Sequence, residues 1–166
     1  MVENEVVLGL GSNLGNREKN IKLAVEEIKK RFQTEVKSSS IYETLPWGFE
    51  TDNLFLNSCV VFTSSESPKS ILEALKWIEI KLGRVKKSQK KEYFSRTIDI
   101  DILYVGDLVV NTEDLVIPHP LIYARSFVLT PLSEILPGFL DPVKKQKIST
   151  LKSLLNENND VILYKG

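Results

Sequence analysis

This sequence contains one cysteine and one histidine, and neither basic nor acidic residues are in excess. Cys59 is the only cysteine among 166 residues, so no internal disulfide can form and a disulfide-built secreted fold is excluded. Its place in the apolar run 59–62 indicates a small buried side chain. Lysine plus arginine and aspartate plus glutamate both total 22, so the formal net charge is zero. This balance argues against a binder of nucleic acid or membrane surfaces, which usually has an excess of basic residues.

Long hydrophobic runs are missing as well. No apolar stretch approaches the roughly 20 residues of a membrane-spanning helix, and the acidic start, residues 1–5, does not look like a secretory signal. We therefore expect a cytoplasmic protein that binds no membrane. Hydrophobic residues make up 42% and charged residues 27%, as in ordinary globular proteins, and the length suits one domain spanning residues 1–166. No apolar patch stands out, so we expect a monomer.

The hydrophobic periodicity predicts strands that alternate with helices. Strands are predicted over residues 5–10, 35–44, 54–63 and 97–105, with one helix over 17–32 and another from Pro68 to Gly83. Asn16 is a suitable N-cap for the first helix, and Ser67 is a suitable N-cap for the second. Gly106 and Asp107 predict a two-residue hairpin turn that leads from the fourth strand into residues 108–110.

This element order predicts the fold class. After Asn111 the pattern is loop-rich, with a short helical segment near residues 150–155. The order is typical of an α+β fold, a ferredoxin-like α/β sandwich with a mainly antiparallel sheet and an added hairpin. We expect the helices to pack on one face of the sheet, which leaves the other face open for a site.

Two aspartates on the fourth predicted strand are the sharpest chemical signal. Apolar and acidic residues alternate strictly from Ile98 to Ile102, which places Asp99 and Asp101 on one face of the strand. Their positions lie about 7 Å apart along the strand, close enough to share one or two Mg²⁺ ions. The alternative is an ordinary solvated strand face, but aspartate is depleted in strands and like charges on one face repel. The pattern therefore favours a metal site.

A group of cations surrounds these aspartates in the sequence. Its members are Arg84, Lys86, Lys87, Lys90, Lys91, Arg96 and Arg125. Arginine side chains suit phosphate oxygens and stabilise the charge that develops during phosphoryl transfer. Arg96 stands three residues before Asp99, so a phosphate-binding role is attractive there, whereas a solvated polar loop is the better interpretation for Lys90 and Lys91.

Three further features are ambiguous on their own. The glycine-rich stretch 9–15 lacks the spacing of a dinucleotide fingerprint or a P-loop, so it indicates mainly a tight strand-to-helix turn. His119, the only histidine, lies between two prolines and by itself suggests a structural residue. Phe55 and Asn57 share one strand face, where a ring beside an amide could bind a flat heterocycle or simply pack in the core.

Together these segments resemble the 6-hydroxymethyl-7,8-dihydropterin pyrophosphokinase family of folate synthesis. The resemblance extends from Gly9 to about Leu155, nearly the whole chain. The segments that carry it, in family order, are 9–15 (GLGSNLG), 42–48 (YETLPWG), 55–57 (FLN), 78–79 (IE), 83–85 (GRV), 96–103 (RTIDIDIL), 118–120 (PHP) and 125–129 (RSFVL). No single segment is decisive, but their joint order and spacing are highly specific.

The resemblance implies an enzyme that transfers pyrophosphate from Mg-ATP to the hydroxymethyl group of a dihydropterin and releases AMP. Asp99 and Asp101 would hold two Mg²⁺ ions, and Arg84 and Arg96 would steady the transferring group. The implied pterin-side residues are Thr44, Leu45, Pro46, Trp47, Phe55, Asn57 and Phe127. The implied ATP-side residues are Glu79, Arg84, Lys86, Lys87, Arg96, Ile102, His119 and Arg125.

One segment departs from the family pattern. Where the family has Arg-Trp-Gly-Pro before its second arginine, this chain has residues 91–95 (KEYFS), so either Tyr93 or Phe94 would replace the tryptophan. The alternative function is a nucleic-acid-binding or regulatory ligand-binding module of the same fold. Zero net charge argues against nucleic acid, and a regulatory module leaves Asp99 and Asp101 without a role. We therefore expect ATP and the pterin as partners, with no nucleic acid.

Overall fold

An antiparallel sheet forms the centre of this computed structural model, which describes residues 2–44, 54–83, 97–155 and 161–166. The first seven elements along the chain are β1 (Asn4–Ser12), α1 (Arg17–Phe32), β2 (Lys37–Ser38), β3 (Tyr42–Thr44), β4 (Phe55–Ser64), α2 (Pro68–Lys81) and β5 (Asp99–Val105). The later elements are β6 (Val110–Asn111), β7 (Val116–Ile117), a 3-10 turn (Ile122–Ala124), α3 (Ser126–Ile135), α4 (Ile148–Ser153) and β8 (Val161–Leu163).

The strand order confirms the predicted fold class. Along the main path of the sheet the strands lie in the order β5-β1-β4-β3-β8, and β2 pairs with the far part of β4. The pairs formed by these strands are antiparallel. With α1 and α2 in the crossovers, this is the βαββαβ arrangement of ferredoxin-like folds, extended at the edge of β3 by β8. Within the described ranges, the structure contains no helix with the length and apolarity needed to cross a membrane.

The helices α1 and α2 pack side by side on one face of the sheet, as predicted. Each begins at its predicted cap, because the side chain of Asn16 accepts a hydrogen bond from the N–H of Lys19 and that of Ser67 accepts one from the N–H of Ser70. The apolar stripes of both helices face the sheet and are excluded from water. This core layer includes Val6, Leu8, Leu10, Ile21, Ile28, Leu56, Val60, Ile71, Leu75, Ile78, Ile98, Ile100 and Ile102.

The opposite face of the sheet is only partly open, which differs from the expectation. Helices α3 and α4 pack against the part of this face that carries Val7, Cys59 and Tyr104. Periodicity did not reveal α3 because Pro131 lies inside it, where proline normally removes a helical hydrogen bond. Burial confirms Cys59 as a small buried side chain and raises the pKa of its thiol, with a smaller contribution from the nearby Glu134 carboxylate.

A buried carboxylate anchors this second layer to the sheet. Asp141 is fully buried, and its Oδ2 accepts hydrogen bonds from the hydroxyls of Tyr104, at 2.6 Å, and Tyr123, at 2.9 Å. Its Oδ1 accepts from the backbone N–H groups of Val143 and Lys144, both at 2.8 Å. Four donors therefore compensate for the desolvation of one carboxylate.

The second predicted strand is interrupted by a bulge. Ser38 lies opposite Val60 but Tyr42 lies opposite Asn57, so one extra residue is inserted between β2 and β3. At the interruption, the hydroxyl of Ser39 accepts a hydrogen bond from the N–H of Cys59 at 2.9 Å. A serine side chain thus replaces a backbone acceptor of the ladder.

The predicted hairpin after β5 pairs differently. β6 pairs with β7 to form a separate two-stranded sheet, whereas β5 pairs with β1 alone among the described strands. β5 itself contains a bulge, because the register with β1 shifts by one residue around Leu103. Leu103 and Tyr104 therefore both face the α3–α4 side, whereas Ile102 and Val105 face α1 and α2.

Candidate active site

A cavity lies on the part of the sheet face that α3 leaves uncovered. Its floor is formed by β1, β4 and β5, and its wall by the segment that runs from His119 into α3. The residues that line it and that the sequence had singled out are Thr44, Phe55, Asn57, Asp99, Asp101, His119, Arg125 and Phe127. The structure therefore brings together predicted residues from four separate segments of the chain.

The two aspartates lie side by side on the cavity face of β5. In the register with β1, Asp99 lies opposite Gly11 and Asp101 lies opposite Gly9. Both are half-buried, whereas Ile98, Ile100 and Ile102 are at most 5% exposed on the other face. The alternation in the sequence thus places the two carboxylates on the cavity face of β5 and the three isoleucines on its core face, as strand geometry requires.

Two glycines form the floor between the aspartates and β4. Gly9 lies within β1, as the strand predicted over residues 5–10 requires. Gly11 also lies within β1, which corrects the interpretation of that residue as part of a strand-to-helix turn. Gly11 lies between Asp99 and Asn57 in the sheet register, and a Cβ on it would approach Asn57 Oδ1 to 3.1 Å. The missing side chain therefore leaves open the space next to the carboxylates.

The predicted pterin-side residues that the structure describes meet at one end of the cavity. Asn57 is 8% exposed, and its Nδ2 donates a hydrogen bond of 3.0 Å to Oγ1 of Thr44, which is 3% exposed. Thr44 pairs with Phe55 across β3 and β4, and Phe127 at the start of α3 lines the same cavity. Two aromatic rings and a fixed amide are therefore available to a flat polar ligand.

His119 and Arg125 form the wall next to the aspartates. Nδ1 of His119 accepts a hydrogen bond of 3.1 Å from the N–H of Leu121, so the neutral ring has its proton on Nε2. The pKa of His119 is lowered from 6.5 to about 4, mainly by burial and also by the Arg125 guanidinium, while the Asp99 carboxylate opposes both effects. Cζ of Arg125 lies 5.4 Å from the ring centroid of Phe127, so this cation lies over an aromatic face.

Two predicted ATP-side residues lie away from the cavity lining. Glu79 on α2 is 6% exposed, and its Oε2 accepts a hydrogen bond of 2.8 Å from the N–H of Ile100, between the two aspartates. The side chain of Ile102 is 4% exposed and packs in the core layer under α1 and α2. Neither side chain therefore lies on the cavity face of β5.

Several predicted residues lie outside the described residues. These are Leu45, Pro46, Trp47, Arg84, Lys86, Lys87 and Arg96, together with Tyr93 and Phe94 as candidates for the ring that replaces the tryptophan. Their assignments stay predictions from the sequence.

The donor set of the described cavity suits Mg²⁺ bound through phosphate. Among the described residues no group of three or more histidine, cysteine, aspartate or glutamate side chains could enclose a metal ion. Mg²⁺ is usually bound by one or two carboxylates plus substrate phosphates and water, not by a protein cage. Asp99 and Asp101 on an open cavity supply that kind of partial site, so the residues present fit the ion.

Sequence reasoning missed part of the lining. Leu103, Ile122 and Val128 contribute apolar wall, and Ser58 contributes a polar group. Ile122 and Val128 belong to the segment whose helical structure the sequence did not reveal. The short spacing of Gly9 and Gly11, two residues apart after a buried strand start, was the available signal for a strand face without side chains.

The fold and the cavity define a class, namely α+β domains in which paired strand carboxylates face a pocket suited to metal-bound phosphates. A model of one protein family matches residues 7–137, and its description is 7,8-dihydro-6-hydroxymethylpterin-pyrophosphokinase (HPPK). The chain belongs to this family. The alternative of a nucleic-acid-binding or regulatory module finds no support in that match.

Two curated relatives match this chain over most of their own length. A 2-amino-4-hydroxy-6-hydroxymethyldihydropteridine pyrophosphokinase of Porphyromonas gingivalis is 42% identical over 133 residues, which is 80% of this chain and 90% of the relative. The protein of the same name from Bacillus subtilis is 41% identical over 135 residues, 81% of this chain and 79% of the relative. These relatives are named as pyrophosphokinases that act on a hydroxymethyldihydropteridine.

Solved structures show the same fold at low identity. Wild-type HPPK-DHPS of Plasmodium falciparum, solved with pteroate, matches 92% of this chain with a TM-score of 0.72 and 17% identity. This chain spans 42% of that longer protein. This similarity shows that the two proteins share the fold over the matched region.

Proposed function

We propose that this chain transfers the pyrophosphoryl group of Mg-ATP to the hydroxyl of 6-hydroxymethyl-7,8-dihydropterin in folate biosynthesis and releases AMP. Family membership and the names of the relatives support pyrophosphokinase activity with ATP as co-substrate. The observation that carries the proposal is the pair Asp99 and Asp101 on the cavity face of β5, opposite Gly11 and Gly9 and beside the Phe55–Asn57 end of the same cavity.

The reaction asks the protein for positioning and charge stabilisation. The hydroxyl oxygen forms a bond to the β-phosphorus, the bond from that phosphorus to the oxygen that bridges it to the α-phosphorus breaks, and the hydroxyl proton passes to solvent. AMP leaves with the bridging oxygen. When bound, Mg²⁺ neutralises charge on the phosphate oxygens. Asp99 and Asp101 would hold two such ions, and Arg84 and Arg96 would stabilise the charge on the transferring group.

The pterin would occupy the aromatic end of the cavity. Phe55 and Phe127 offer ring faces, and the amide of Asn57 is held by Thr44 so that it can form hydrogen bonds with the edge of the heterocycle. From the sequence we add Leu45, Pro46 and Trp47 to the pterin side.

ATP would lie along the aspartate side of the cavity. His119 and Arg125 line the wall there, and we add Lys86 and Lys87 from the sequence. Glu79 would act through β5, because its carboxylate binds the backbone between the two aspartates. Ile102 would act through its backbone, because its side chain is in the core.

The test is AMP release from Mg-ATP that depends on added hydroxymethyl-dihydropterin. We expect Asp101→Asn to fold normally and to lose turnover by on the order of 10²-fold or more, because a charged ligand to the metal is removed from the site of developing charge. Asp114→Asn is the matched control, since Asp114 is exposed and does not line the cavity. Near-normal turnover of Asp101→Asn would refute the metal role, and the absence of pterin-dependent AMP would refute the function.

We propose in addition that residues 1–166 form one pyrophosphokinase domain. The monomeric state, the cytoplasmic location and the lack of nucleic-acid binding stay predictions from the sequence.

A further inference from the structure

Arg17, the first residue of α1, joins two strand ends that are far apart in sequence. Its Nη1 donates one hydrogen bond of 2.8 Å to Oε2 of Glu43 in β3 and another of 2.7 Å to the backbone carbonyl of Leu54, just before β4. Its guanidinium also lies over the ring of Tyr164, with Cζ 5.8 Å from the ring centroid. One side chain therefore links α1, β3, the start of β4 and the C-terminal segment.

The helix itself does not explain this arginine. A cation in the first turn is disfavoured by the helix dipole, which prefers negative charge at that end. The Arg17–Glu43 pair is also more enclosed than an ordinary surface pair, with side chains 25% and 20% exposed against 69% and 38% for Lys22 and Glu18 on the same helix. Its contacts with β3 and with the residue before β4 account for its position.

Those contacts lie one residue away from the cavity. Glu43 is followed by Thr44, and Leu54 is followed by Phe55, and these two followers are paired in the register of β3 and β4. Because side chains alternate along a strand, Glu43 faces α1 whereas Thr44 faces the cavity. Arg17 thus holds the strand pair from behind, where Thr44 and Phe55 face the proposed pterin.

We propose that Arg17 is a positioning residue for the pterin end of the site. It fixes the backbone of Thr44 and Phe55, and through Thr44 the amide of Asn57, without itself lining the cavity. The inference rests on the proposed function, because it assigns these residues to the pterin and not to ATP. Its consequence is selective: loss of Arg17 weakens pterin recognition and leaves ATP recognition intact.

The experiment compares steady-state constants for both substrates in the wild type and in Arg17→Met, which keeps an unbranched side chain but removes the guanidinium charge and its donors. We expect the KM for the pterin to rise about tenfold, the usual consequence of losing a hydrogen bond to a charged group that orders a site, with the KM for ATP within about twofold. Arg17→Lys should give an intermediate rise, because an ammonium keeps the charge but not the planar fork.

Arg31→Met is the matched control. Arg31 belongs to the same helix and forms two hydrogen bonds of 2.9 Å with Glu66, far from the cavity. It also removes an arginine–glutamate pair from α1, and it should leave both KM values unchanged whatever it does to the melting temperature. A loss of stability alone cannot therefore mimic the selective effect.

Each outcome decides the matter. Pterin-dependent AMP release by the wild type establishes the function, and an unchanged pterin KM in Arg17→Met within that assay overturns the positioning role alone. Equal rises in both KM values also overturn it. If Arg17→Met does not fold, Glu43→Gln replaces it: this variant keeps an acceptor but removes the charge, so a smaller selective rise in pterin KM supports the proposal and no rise refutes it.

Discussion

Gly11 is the residue at which the shape of the cavity and its hydrogen bonding meet. It lies between Asp99 and Asn57 in the sheet, and the cavity floor there is bare backbone. A methyl group at this position would reach to 3.1 Å from Asn57 Oδ1, closer than a carbon–oxygen contact normally allows. The amide would have to move, and its hydrogen bond to Thr44 would move with it.

We therefore predict that Gly11→Ala raises the KM for the pterin about tenfold. The free energy of unfolding should change by no more than about 1 kcal/mol, since the added atom displaces one side chain that borders a cavity. The measurement combines steady-state kinetics with urea unfolding. Gly138→Ala is the control, because a Cβ there meets no atom within 4 Å. A pterin KM equal to that of Gly138→Ala would contradict the prediction.

His119 should make stability depend on pH in a defined window. Burial lowers its pKa from 6.5 to about 4, with Arg125 acting in the same direction and Asp99 against it. Between these two values the unfolded chain binds a proton at His119 and the folded chain does not, so stability falls as the pH falls through the window and is fully present above it.

We predict that this effect contributes on the order of 2 kcal/mol between pH 7 and pH 4.5. Urea unfolding of the metal-free protein at both pH values, for the wild type and for His119→Gln, isolates it because the other titrating groups cancel in the difference. The wild type should lose more stability on acidification than the variant does. Equal losses would show that His119 titrates normally in the folded protein.

At the scale of elements, the second helical layer depends on one buried carboxylate. Asp141 receives four hydrogen bonds, two of them from the hydroxyls of Tyr104 in β5 and Tyr123. Burial and the neighbouring carboxylate raise the pKa of both tyrosines. The phenols therefore stay protonated and remain donors at any ordinary pH.

We predict that Asp141→Ala lowers the free energy of unfolding by about 3 kcal/mol, because it leaves a fully buried Tyr104 hydroxyl and two backbone donors without their acceptor. Tyr123→Phe should cost about 1 kcal/mol, since it removes a single donor. Thermal or urea unfolding measures both. If the two variants lose the same amount, the carboxylate is not the anchor of this layer.

Local patterns in the sequence predicted elements whose residues act locally. The first helix was predicted with its observed bounds, because the cap at Asn16 and the apolar stripe are both encoded within a few turns. The alternation around Asp99 and Asp101 fixed their shared face for the same reason. Pro131 concealed α3, because a proline normally indicates that a helix does not continue. The helix forms nevertheless, because the packing of Leu129 and Leu132 on the sheet outweighs the hydrogen bond that the proline removes.

Features that depend on distant contacts could not be predicted in this way. The hydrogen bond from the Ile100 N–H to Glu79 joins β5 to α2, and only the packed fold brings them together. The bulge at Ser39 requires the N–H of Cys59, 20 residues away. The glycine-rich stretch from Gly11 onward was interpreted as a turn because turn chemistry is the common local meaning of such glycines, whereas Gly11 leaves a strand face bare.

At the scale of the whole molecule, the cavity exists only when four strands of the sheet and the segment leading into α3 are folded together. Its lining comes from β1, β3, β4, β5 and the segment leading into α3, so unfolding of any of these parts destroys the site. A ligand that binds this site therefore stabilises the entire fold by mass action.

We predict that Mg-ATP raises the melting temperature of the wild type, by an amount that corresponds to about 2.7 kcal/mol at a ligand concentration of 100 times Kd. ATP with a chelator should give a smaller shift, and Asp101→Asn should lose the part that depends on Mg²⁺. Differential scanning fluorimetry measures all three. A shift of the same size with chelator would argue against Asp99 and Asp101 as metal ligands.

The bulge in β5 also determines which length changes this strand tolerates. Leu103 is the inserted residue, so deleting it would restore simple alternation and leave both Asp99 and Asp101 on their present side. Deleting Ile100, by contrast, would shift Asp99 by one position while the later part of the strand keeps its place. The Asp99 side chain would then face the hydrophobic core layer beneath α1 and α2. In a deletion scan of this strand, the protein should tolerate removal of Leu103, the third residue from the C-terminal end of β5, but not removal of a residue that separates the two acidic side chains.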